Sequence, residues 1–344
     1  MKVTAVMLAY GEEPWLVDAV RAVLDSRGVD VELIVVDNGC TSDAVTKVAD
    51  LSGVRVLTPS ENTGYAGGCN VGAAAATGEY LAFVNSDAIV APDALAALVE
   101  VVREPTVGIA MASIRLGESP DLINTAGNPI HYAGMVWVGG LNEPATRYPQ
   151  RRQVPIASGC VFMMRRALWE ELGGFAPEYF AYHEDTELSL RCWQRDLSVE
   201  YVPDAVAVHH YEFSRNALKL RLVERNRLVL LLTTYQARSL LLLAPMLLVV
   251  ELSMVAAAVA GGWWREKVAG WRWIWQNRRW VRTRRAQLQA ERKVPDAQIA
   301  RLMTATFDPG NVEAPPGLGV FNALSKAWWR LVRPLLPHRL PRRR

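Results

Sequence analysis

The sequence predicts an α/β fold with a mostly parallel central sheet that helices cover on both faces. Two observations support this prediction. Short apolar runs alternate with segments of helical spacing over the first 110 residues, which is the pattern of repeated βα units. The runs are almost continuously apolar, as is typical of strands buried on both sides. A third observation, an abrupt change of composition after residue 262, predicts an extension of a different kind.

The element boundaries follow from apolar spacing and turn residues. The predicted strands are Val3–Leu8, Val31–Val36, Val54–Leu57, Tyr80–Val84, Val107–Ser113, Val199–Val202 and Ala205–Val208. The predicted helices are Pro14–Ser26, Thr41–Asp50 with Thr41 as N-cap, Gly67–Ala76, Pro92–Val102, Arg165–Leu172, Glu184–Arg195 and Asn216–Tyr235. Residues 114–157 are expected to form loops and short strands.

Charge is distributed unevenly along the 344 residues. Residues 1–262 carry 20 Lys+Arg against 30 Asp+Glu, a balance of −10, whereas residues 263–344 carry 18 against 5, a balance of +13. Eight of the 12 Trp also lie beyond residue 262. A basic, Trp-rich C-terminal region predicts contact with an anionic surface, either a membrane or a nucleic acid.

Residues 239–262 form the most apolar stretch, long enough for a membrane span but interrupted by Glu251 and Pro245. Positive charge on both sides of it conflicts with a one-way crossing. We therefore expect a monotopic or re-entrant segment broken at Pro245, with Trp263–Arg285 at the interface and a single span as the alternative. The near-side charges are Arg215, Lys219, Arg221, Arg225, Arg227 and Arg238.

The expected organisation has three parts. Residues 1–235 form the α/β domain, 236–293 form hydrophobic and basic amphipathic membrane-associated helices, and 294–344 form an irregular basic tail that ends in Arg342–Arg344. The first apolar run is short and precedes two glutamates, so it predicts a strand rather than a secretory signal. The four cysteines have no C-x-x-C spacing, which argues against a zinc or redox site and for a reducing compartment, the cytoplasm.

Polar residues follow four of the predicted strands, at the edge of a parallel sheet where ligands bind. Asp37 is a candidate acceptor for a nucleobase, although Asp-Asn-Gly is also typical of a turn with a helix cap. Asn85 and Asp87 point to one side after a buried strand, which suits a divalent cation or, alternatively, a cap. The polar residues at these strand ends are Tyr10 and Glu12, Asp37, Asn62, Gly64 and Tyr65, and Asn85, Ser86 and Asp87.

Two later positions also carry chemistry. Glu184 and Asp185 open a helix that contains Arg191; acids in a first helical turn are favoured by the helix dipole, but one could equally be a general base. His209 follows an apolar strand, where a lone histidine is more often structural than a ligand.

As an ordered set, these residues resemble the inverting glycosyltransferases of family 2, which have the GT-A fold, and among them the bacterial rhamnosyltransferase-like members. The likeness covers residues 1–230. The matching positions are Tyr10, Val35 to Gly39, Asn62, Gly64, Tyr65, Gly67, Gly68, Asn70, Asn85 to Asp87, Ser158, Gly159, Gly173 to Phe175, Glu184, Asp185, Leu188, Arg191 and His209.

The resemblance implies a role for each match. Tyr10 and Asp37 hold a pyrimidine base, Asp87 and His209 hold Mg²⁺ or Mn²⁺, and Asp185 is the catalytic base. The family's first metal-motif Asp is replaced here by Asn85. The other matches are implied to bind the nucleotide or donor sugar: Asn62, Gly64, Tyr65, Asn70, Asn85, Ser86, Ser158, Gly159, Glu184 and Arg191. Glu12, after the first strand, is expected to join them.

The implied activity is transfer of a sugar from a UDP- or dTDP-sugar, such as dTDP-rhamnose, to a hydroxyl of a lipid-linked glycan at the cytoplasmic face of the plasma membrane. Two other hypotheses remain. A nucleotidyltransferase would need a basic Gly-rich loop after the first strand, where Gly11-Glu12-Glu13 is acidic. A nucleic-acid-binding protein would use the Arg/Trp tail to bind phosphates and stack on bases, but no nucleic-acid partner is expected.

Overall fold

A computed structural model of the chain describes residues 1–210, 216–308 and 317–340. Arg215 and Arg342–Arg344, to which the charge argument gave roles, lie outside these ranges. The chain divides into two units. The first comprises Met1–Asn128, Val138–Ser189 and Leu197–Glu212, and the second Pro129–Trp137, Leu190–Asp196 and Phe213–Arg344.

A ten-stranded mixed sheet forms the centre of the first unit, and two further strands pair in the second unit. The strands are β1 Lys2–Gly11, β2 Asp30–Cys40, β3 Val54–Leu57, β4 Tyr80–Val84, β5 Ala88–Val90, β6 Val107–Leu116, β7 Ser119–Thr125, β8 Ile130–His131, β9 Arg152–Gln153, β10 Val161–Arg165, β11 Ser198–His209 and β12 Met303–Thr304. The order in the large sheet is β3-β2-β1-β4-β10-β6-β11-β5, with β7 paired to β6 and β9 to β11, and the separate pair is β8 with β12.

Strand direction decides which residues share an edge. β1 is parallel to β2 and β4, while β10 is antiparallel to both β4 and β6, and β11 is parallel to β6. Therefore β1, β2, β4, β6 and β11 all end at one edge. All five residues of β4 are buried, as expected for a strand covered on both faces. This edge collects the polar strand ends that the sequence singled out.

Helices flank this sheet in the first unit. They are α1 Leu16–Leu24, α2 Ala44–Ala49, α3 Gly64–Ala74, α4 Ala94–Val102, α5 Arg166–Leu172 and α6 Glu184–Gln194, of which the last residues, from Leu190, count with the second unit. The predicted cap of α2 was wrong. Thr41 still belongs to the turn after β2, where its N–H donates to the Gly11 carbonyl. The N-cap position is therefore occupied by Asp43, which makes no side-chain capping bond.

The second unit is helical. Its helices are α7 Ala217–Thr234, α8 Ala237–Ala260, α9 Trp264–Gln276, α10 Arg278–Glu291, α11 Asp296–Ile299 and α12 Leu318–Val332. One face of α8 and one face of α12 meet in an apolar core built around Leu243, Met246, Trp329 and Val332. Burial of these apolar side chains stabilises the packing of α8 against α12, although the region as a whole is rich in basic residues.

Three expectations about this region differ from the structure. α8 runs unbroken through Pro245, which is exposed. The tail expected to be irregular contains α12, whose apolar spacing pairs it with α8. α7 belongs to the second unit rather than to the α/β body, because it packs against α9 and α10.

Candidate active site

An exposed aromatic ring and a carboxylate stand together at the ends of β1 and β2. Tyr10 is 61 % exposed, and a Cβ added at Gly39 would lie 3.6 Å from its ring. Asp37 is held by its own turn, because its Oδ1 accepts hydrogen bonds from the N–H groups of Gly39 (3.2 Å) and Cys40 (2.9 Å). A fixed carboxylate beside an open ring can hydrogen-bond and stack a flat heterocycle.

Asn62 and Gly64 lie in a turn that Asn38 holds. The Asn38 amide donates to Asn62 Oδ1 at 2.9 Å and accepts from the Thr63 N–H at 3.0 Å. Asn62 Oδ1 also accepts from the Gly64 N–H at 2.8 Å. The turn sits directly at the beginning of α3, so its geometry fixes where the N-terminus of that helix points. Asn38, a buried residue of the matched motif that was given no role of its own, positions this part of the site.

The turn after β4 brings a carboxylate to a histidine. Asp87 Oδ1 lies 3.1 Å from His209 Nε2, because β5 pairs antiparallel with β11 and sets Ala88 opposite His209. His209 is 7 % exposed. Burial lowers the pKa of this imidazole, but Cys160 and Asp87 raise it to about 11. Since burial raises the pKa of the Cys160 thiol and keeps it neutral at pH 7, the Asp87 carboxylate is the operative partner.

Glu13, and not Glu12, belongs to this part of the site. Glu12 is exposed, whereas Glu13 Oε1 accepts from the Tyr10 N–H at 2.7 Å and the carboxyl also hydrogen-bonds Ser86. Burial and the nearby Asp87 raise the pKa of Glu13. Its backbone has φ 49°, a left-handed value that is uncommon for a residue other than glycine. Two adjacent glutamates look alike in sequence, and only the turn geometry separates them.

Asp185 lies in the first turn of α6 with its carboxylate fixed by three donors. Oδ2 accepts from the Gly159 N–H at 3.0 Å, and Oδ1 accepts from the N–H of Thr186 at 2.6 Å and from its hydroxyl at 3.2 Å. The residue is partly exposed. An anchored carboxylate that is still open to solvent has the properties required of a general base.

Glu184 and Asp185 are adjacent carboxyls in an environment that disfavours two charges. Burial, and then Asp185, raise the pKa of Glu184 to about 8. Burial also raises the pKa of Asp185, against the hydrogen bonds that favour its charge. Glu184 Oε2 is buried and accepts no hydrogen bond from the described residues. The shared proton therefore belongs on Glu184, and Asp185 is the ionised member of the pair.

The loop that enters α6 is strained. Phe180, Tyr182 and His183 all have positive φ, and Phe180 (φ 65°, ψ −64°) adopts the rare γ-turn conformation. A Cβ at Gly64 would overlap the Phe180 carbonyl and ring, so only glycine allows α3 to approach this loop. Such strain is concentrated at functional sites, and here it fixes the position of the Glu184–Asp185 turn.

One short segment, Ser158–Cys160, connects the parts of the site. The Gly159 carbonyl accepts from the Tyr65 hydroxyl at 2.7 Å, and the Gly159 N–H donates to Asp185. The Cys160 carbonyl accepts from the Asn85 N–H at 2.8 Å. The Cys160 thiol hydrogen-bonds His209. The structure therefore brings the polar strand ends, the histidine and the Glu-Asp turn into one constellation.

Two of the matched residues are placed differently. Asn70 uses its amide twice on the backbone of Phe175, accepting from N–H at 3.0 Å and donating to the carbonyl at 2.9 Å, so it joins α3 to the loop before α6. Arg191 is 2 % exposed on α6, and it counts with the second unit. Arg191 is thus buried, whereas Asn70 is partly exposed with its amide bonded to the backbone.

An α/β sheet whose edge carries this constellation defines a nucleotide-diphospho-sugar-binding fold of the GT-A type. The sequence profile of glycosyl transferase family 2 matches residues 4–173. The match covers just under half of the chain and identifies a family 2 glycosyltransferase domain within it, and the expected fold class is confirmed.

Two curated relatives give local matches. The succinoglycan biosynthesis protein ExoO of Rhizobium meliloti (strain 1021) is 37 % identical over 102 residues, which are 28 % of this chain and 29 % of ExoO. The N-acetylglucosaminyl-diphospho-decaprenol L-rhamnosyltransferase of Mycobacterium tuberculosis (strain ATCC 25618 / H37Rv) is 37 % identical over 62 residues, 18 % of this chain and 20 % of that protein. The matched regions thus span less than a third of these relatives.

Solved structures agree on the fold. GalNAc-T7 with UDP, GalNAc and Mn²⁺ superposes with a TM-score of 0.58 at 17 % identity, covering 69 % of this chain and 48 % of that one. The mannosyltransferase PcManGT of Pyrobaculum calidifontis, in complex with GDP-Man and Mn²⁺, gives 0.52 at 21 % identity, covering 84 % and 85 %. At such identities the likeness establishes the fold alone.

Proposed function

We propose that this protein transfers a sugar from a UDP- or dTDP-sugar, with dTDP-rhamnose as a specific candidate, to a hydroxyl of a lipid-linked glycan, with inversion at the anomeric carbon. The observation that carries the proposal is the Ser158–Cys160 segment, which contacts Tyr65, Asp185, Asn85 and His209. It holds the expected donor, base and cation residues in one constellation.

The donor nucleotide would occupy the Tyr10 end of the edge. The open ring of Tyr10 would stack on the base, and the anchored Asp37 carboxylate would accept the imide N–H of a pyrimidine. Asn62 and Gly64 shape the turn beneath it, and Ser158 and Gly159 adjoin the donor sugar. Uracil and thymine present the same N–H, which is why UDP and dTDP donors are proposed together.

The Asn85–Asp87 turn fits a hard divalent cation, Mg²⁺ or Mn²⁺. Asn85 Oδ1 is buried without a hydrogen-bond partner among the described residues, and Asp87 and His209 stand beside it. Within those residues, no group of three His, Cys, Asp or Glu could hold a metal by itself. The diphosphate would therefore supply the remaining oxygens. The cation would stabilise charge that develops on the leaving diphosphate.

The transfer step uses Asp185. The acceptor oxygen forms a bond to the anomeric carbon while the bond from that carbon to the diphosphate breaks, and the nucleoside diphosphate leaves with the electron pair. Asp185 takes the acceptor proton, for which its partial exposure provides access. Glu184 stays neutral beside it and so leaves the pair's single negative charge on the base. Attack opposite the leaving group inverts the configuration.

The second unit supports a membrane-bound acceptor. One relative is named for its action on a diphospho-decaprenol, a lipid-linked substrate. Among the described helices, α8 is long and apolar enough to cross a bilayer by length and composition. α8 exposes a row of large apolar side chains, and exposed tryptophans follow on α9. These residues are Leu241, Leu248, Leu252 and Val259 on α8, and Trp264, Trp271 and Trp275 on α9.

The contacts of Glu251 favour shallow insertion of α8 over a span. Glu251 pairs with Arg227 at 2.6 Å and with Lys267 at 2.8 Å, and it accepts from the Trp271 indole at 2.7 Å. These bonds tie α8 to α7 and α9, while another side of α8 is buried in the core around Leu243. A helix held in this way would enter the cytoplasmic leaflet with one face only, with basic residues on anionic lipid.

A nucleotide-sugar screen tests the activity. Purified protein with Mn²⁺ or Mg²⁺ would be offered a panel of UDP-, dTDP- and GDP-sugars, and binding and slow donor hydrolysis would be measured. We expect a pyrimidine donor to bind and to be hydrolysed only with the cation. Preference for a purine donor, or hydrolysis unaffected by EDTA, would reject the proposed site.

Vesicle experiments test the location. The protein should be retained on anionic vesicles rather than on DNA or RNA. In sealed inside-out vesicles, labels at both the N-terminal body and the C-terminus should react. Protection of the C-terminal label alone would mean that α8 spans the bilayer.

A further inference from the structure

His209 contacts a second polar residue, Asn124, which carries no motif signal. Asn124 lies on β7, is 8 % exposed, and places its Oδ1 3.3 Å from His209 Nδ1. The other ring nitrogen, Nε2, faces Asp87 at 3.1 Å. The imidazole is therefore held between an amide at Nδ1 and a carboxylate at Nε2, and the Cys160 thiol also hydrogen-bonds it.

We propose that Asn124 is a positioning residue that keeps the hydrogen of His209 on Nδ1, so that Nε2 presents its lone pair to a divalent cation beside Asp87. A metal-ligating histidine commonly donates its other N–H to an oxygen acceptor, which fixes both tautomer and ring orientation. An amide oxygen at Nδ1 meets this requirement, since a carbonyl oxygen accepts and cannot donate. This inference rests on the cation site of the proposed function.

The geometry works in both states of the site. Without a cation, Nε2 lies 3.1 Å from Asp87 Oδ1, and the Nδ1 hydrogen points to the Asn124 oxygen at 3.3 Å. With a cation at Nε2, the Nδ1 hydrogen remains on the same amide oxygen. Asn124 thus needs no rearrangement when the cation binds, and the ring is pre-oriented for it.

Its position also explains why the sequence did not reveal Asn124. β7 pairs with β6 outside the main strand order of the sheet, and Asn124 is 85 residues before His209 in the chain. The next residue, Thr125, hydrogen-bonds Asn128 instead, with its hydroxyl 2.7 Å from Asn128 Oδ1. Thr125 therefore provides a matched control, a buried polar side chain on the same strand that does not touch the histidine.

The test compares Asn124→Leu, Asn124→Asp and Thr125→Val with the wild type. Mn²⁺ affinity would be measured by electron paramagnetic resonance, with UDP and with dTDP, and folding by thermal denaturation. We expect Asn124→Leu to bind Mn²⁺ about 10–100-fold more weakly. Asn124→Asp, which keeps an oxygen acceptor, should bind within a few-fold of wild type or more tightly, and Thr125→Val should not change affinity.

A second readout reports the tautomer directly. In ¹⁵N-histidine-labelled wild type, the resonances of His209 should show a protonated Nδ1 in the presence of diamagnetic Mg²⁺ and UDP. A folded Asn124→Leu with wild-type affinity, an Asn124→Asp as weak as Asn124→Leu, or an Nε2–H tautomer in wild type would each overturn the positioning role. Wild type that binds no Mn²⁺ with either nucleotide would instead remove the proposed cation site, and this inference with it.

Discussion

Two pairs of carboxyls in this molecule, each with one buried glutamate, have opposite environments. In the first unit, Glu184 and Asp185 are adjacent, and among the described residues the hydrogen bonds to Asp185 come from backbone and hydroxyl donors, while Glu184 Oε2 accepts none. In the second unit, Glu224 and Glu251 contact Arg227 and Lys267, with four ion pairs between 2.6 and 3.0 Å.

The pKa values follow these environments. Burial raises the pKa of Glu184 to about 8, whereas burial opposed by Arg227 and Lys267 leaves that of Glu224 lowered to about 2. Both glutamates are 6 % exposed, so the difference comes from the presence or absence of cations and not from depth. Burying a carboxyl without a cationic partner is costly, and such burial persists where the chemistry needs a proton acceptor. Burying a carboxyl together with its cationic partners instead fixes the helices that carry them in place.

The largest expected effect comes from Asp185→Asn. The change removes the base and keeps its shape, so transfer should fall by roughly 10²–10⁴-fold while donor affinity changes little. Asp204→Asn, an exposed carboxyl on β11, is the control and should leave turnover unchanged. Steady-state kinetics with donor binding measured separately would check this, and turnover within tenfold of wild type would exclude Asp185 as the base.

Removing a cation from the second unit should affect stability instead. Arg227→Met leaves two carboxylates with a single buried cation, Lys267, and should cost about 3–5 kcal/mol in the free energy of unfolding. Arg221 lies on the same helix as Arg227, and Arg221→Met breaks a partly exposed pair with Glu266 of α9. This change should cost at most about 1 kcal/mol. Denaturant unfolding of both variants decides it, and equal losses would contradict a structural role for the network.

Asp87→Ala tests the carboxylate of the site that lies beside His209. Cation-dependent donor binding should weaken about 10–100-fold, and less for His209→Ala, because oxygen is the preferred ligand of Mg²⁺. Asp93→Ala, exposed at the start of α4, serves as the control. Calorimetric titration with and without EDTA gives the comparison, and the prediction fails if EDTA does not alter wild-type binding.

The smallest expected effect is on the pH profile. Because burial raises the pKa of Asp185, the base form should increase with pH, and kcat should rise on the acid side of neutrality while Glu184 keeps its proton up to about pH 8. Glu184→Gln keeps this neighbour neutral at every pH, so the acid limb should stay in place, with at most a few-fold change in rate at neutral pH. A limb that moves to lower pH would show that Glu184 is ionised beside Asp185.

The same pair predicts how stability depends on pH. A carboxyl whose pKa is raised on folding stabilises the fold fully below its ordinary value of 4.5, and this contribution is lost as pH rises through about 8. Glu184→Gln should therefore flatten the stability profile between these limits. Thermal unfolding across this range would measure it, and an unchanged slope would contradict the assignment of the proton to Glu184.

Much of the sheet was predictable because burial on both faces leaves a local signature. The bounds of Val54–Leu57 and Tyr80–Val84 agree with the prediction. Ala88–Val90 and Val161–Arg165 were missed as strands, since their pairing is antiparallel and depends on partners far along the chain. The segment predicted as two strands is one, Ser198–His209, because a register shift between Val202 and Val206 absorbs the interruption.

The sequence by itself determined the α/β class and the candidate residues of the edge, because strand alternation and polar strand ends are local patterns. Only the tertiary structure separated Glu13 from Glu12, joined Asn124 to His209, and gave Asn70 a bond to Phe175 across 105 residues. These choices depend on turn geometry and on contacts between distant segments. Such contacts exist only after burial has brought the strands together, so no local pattern records them.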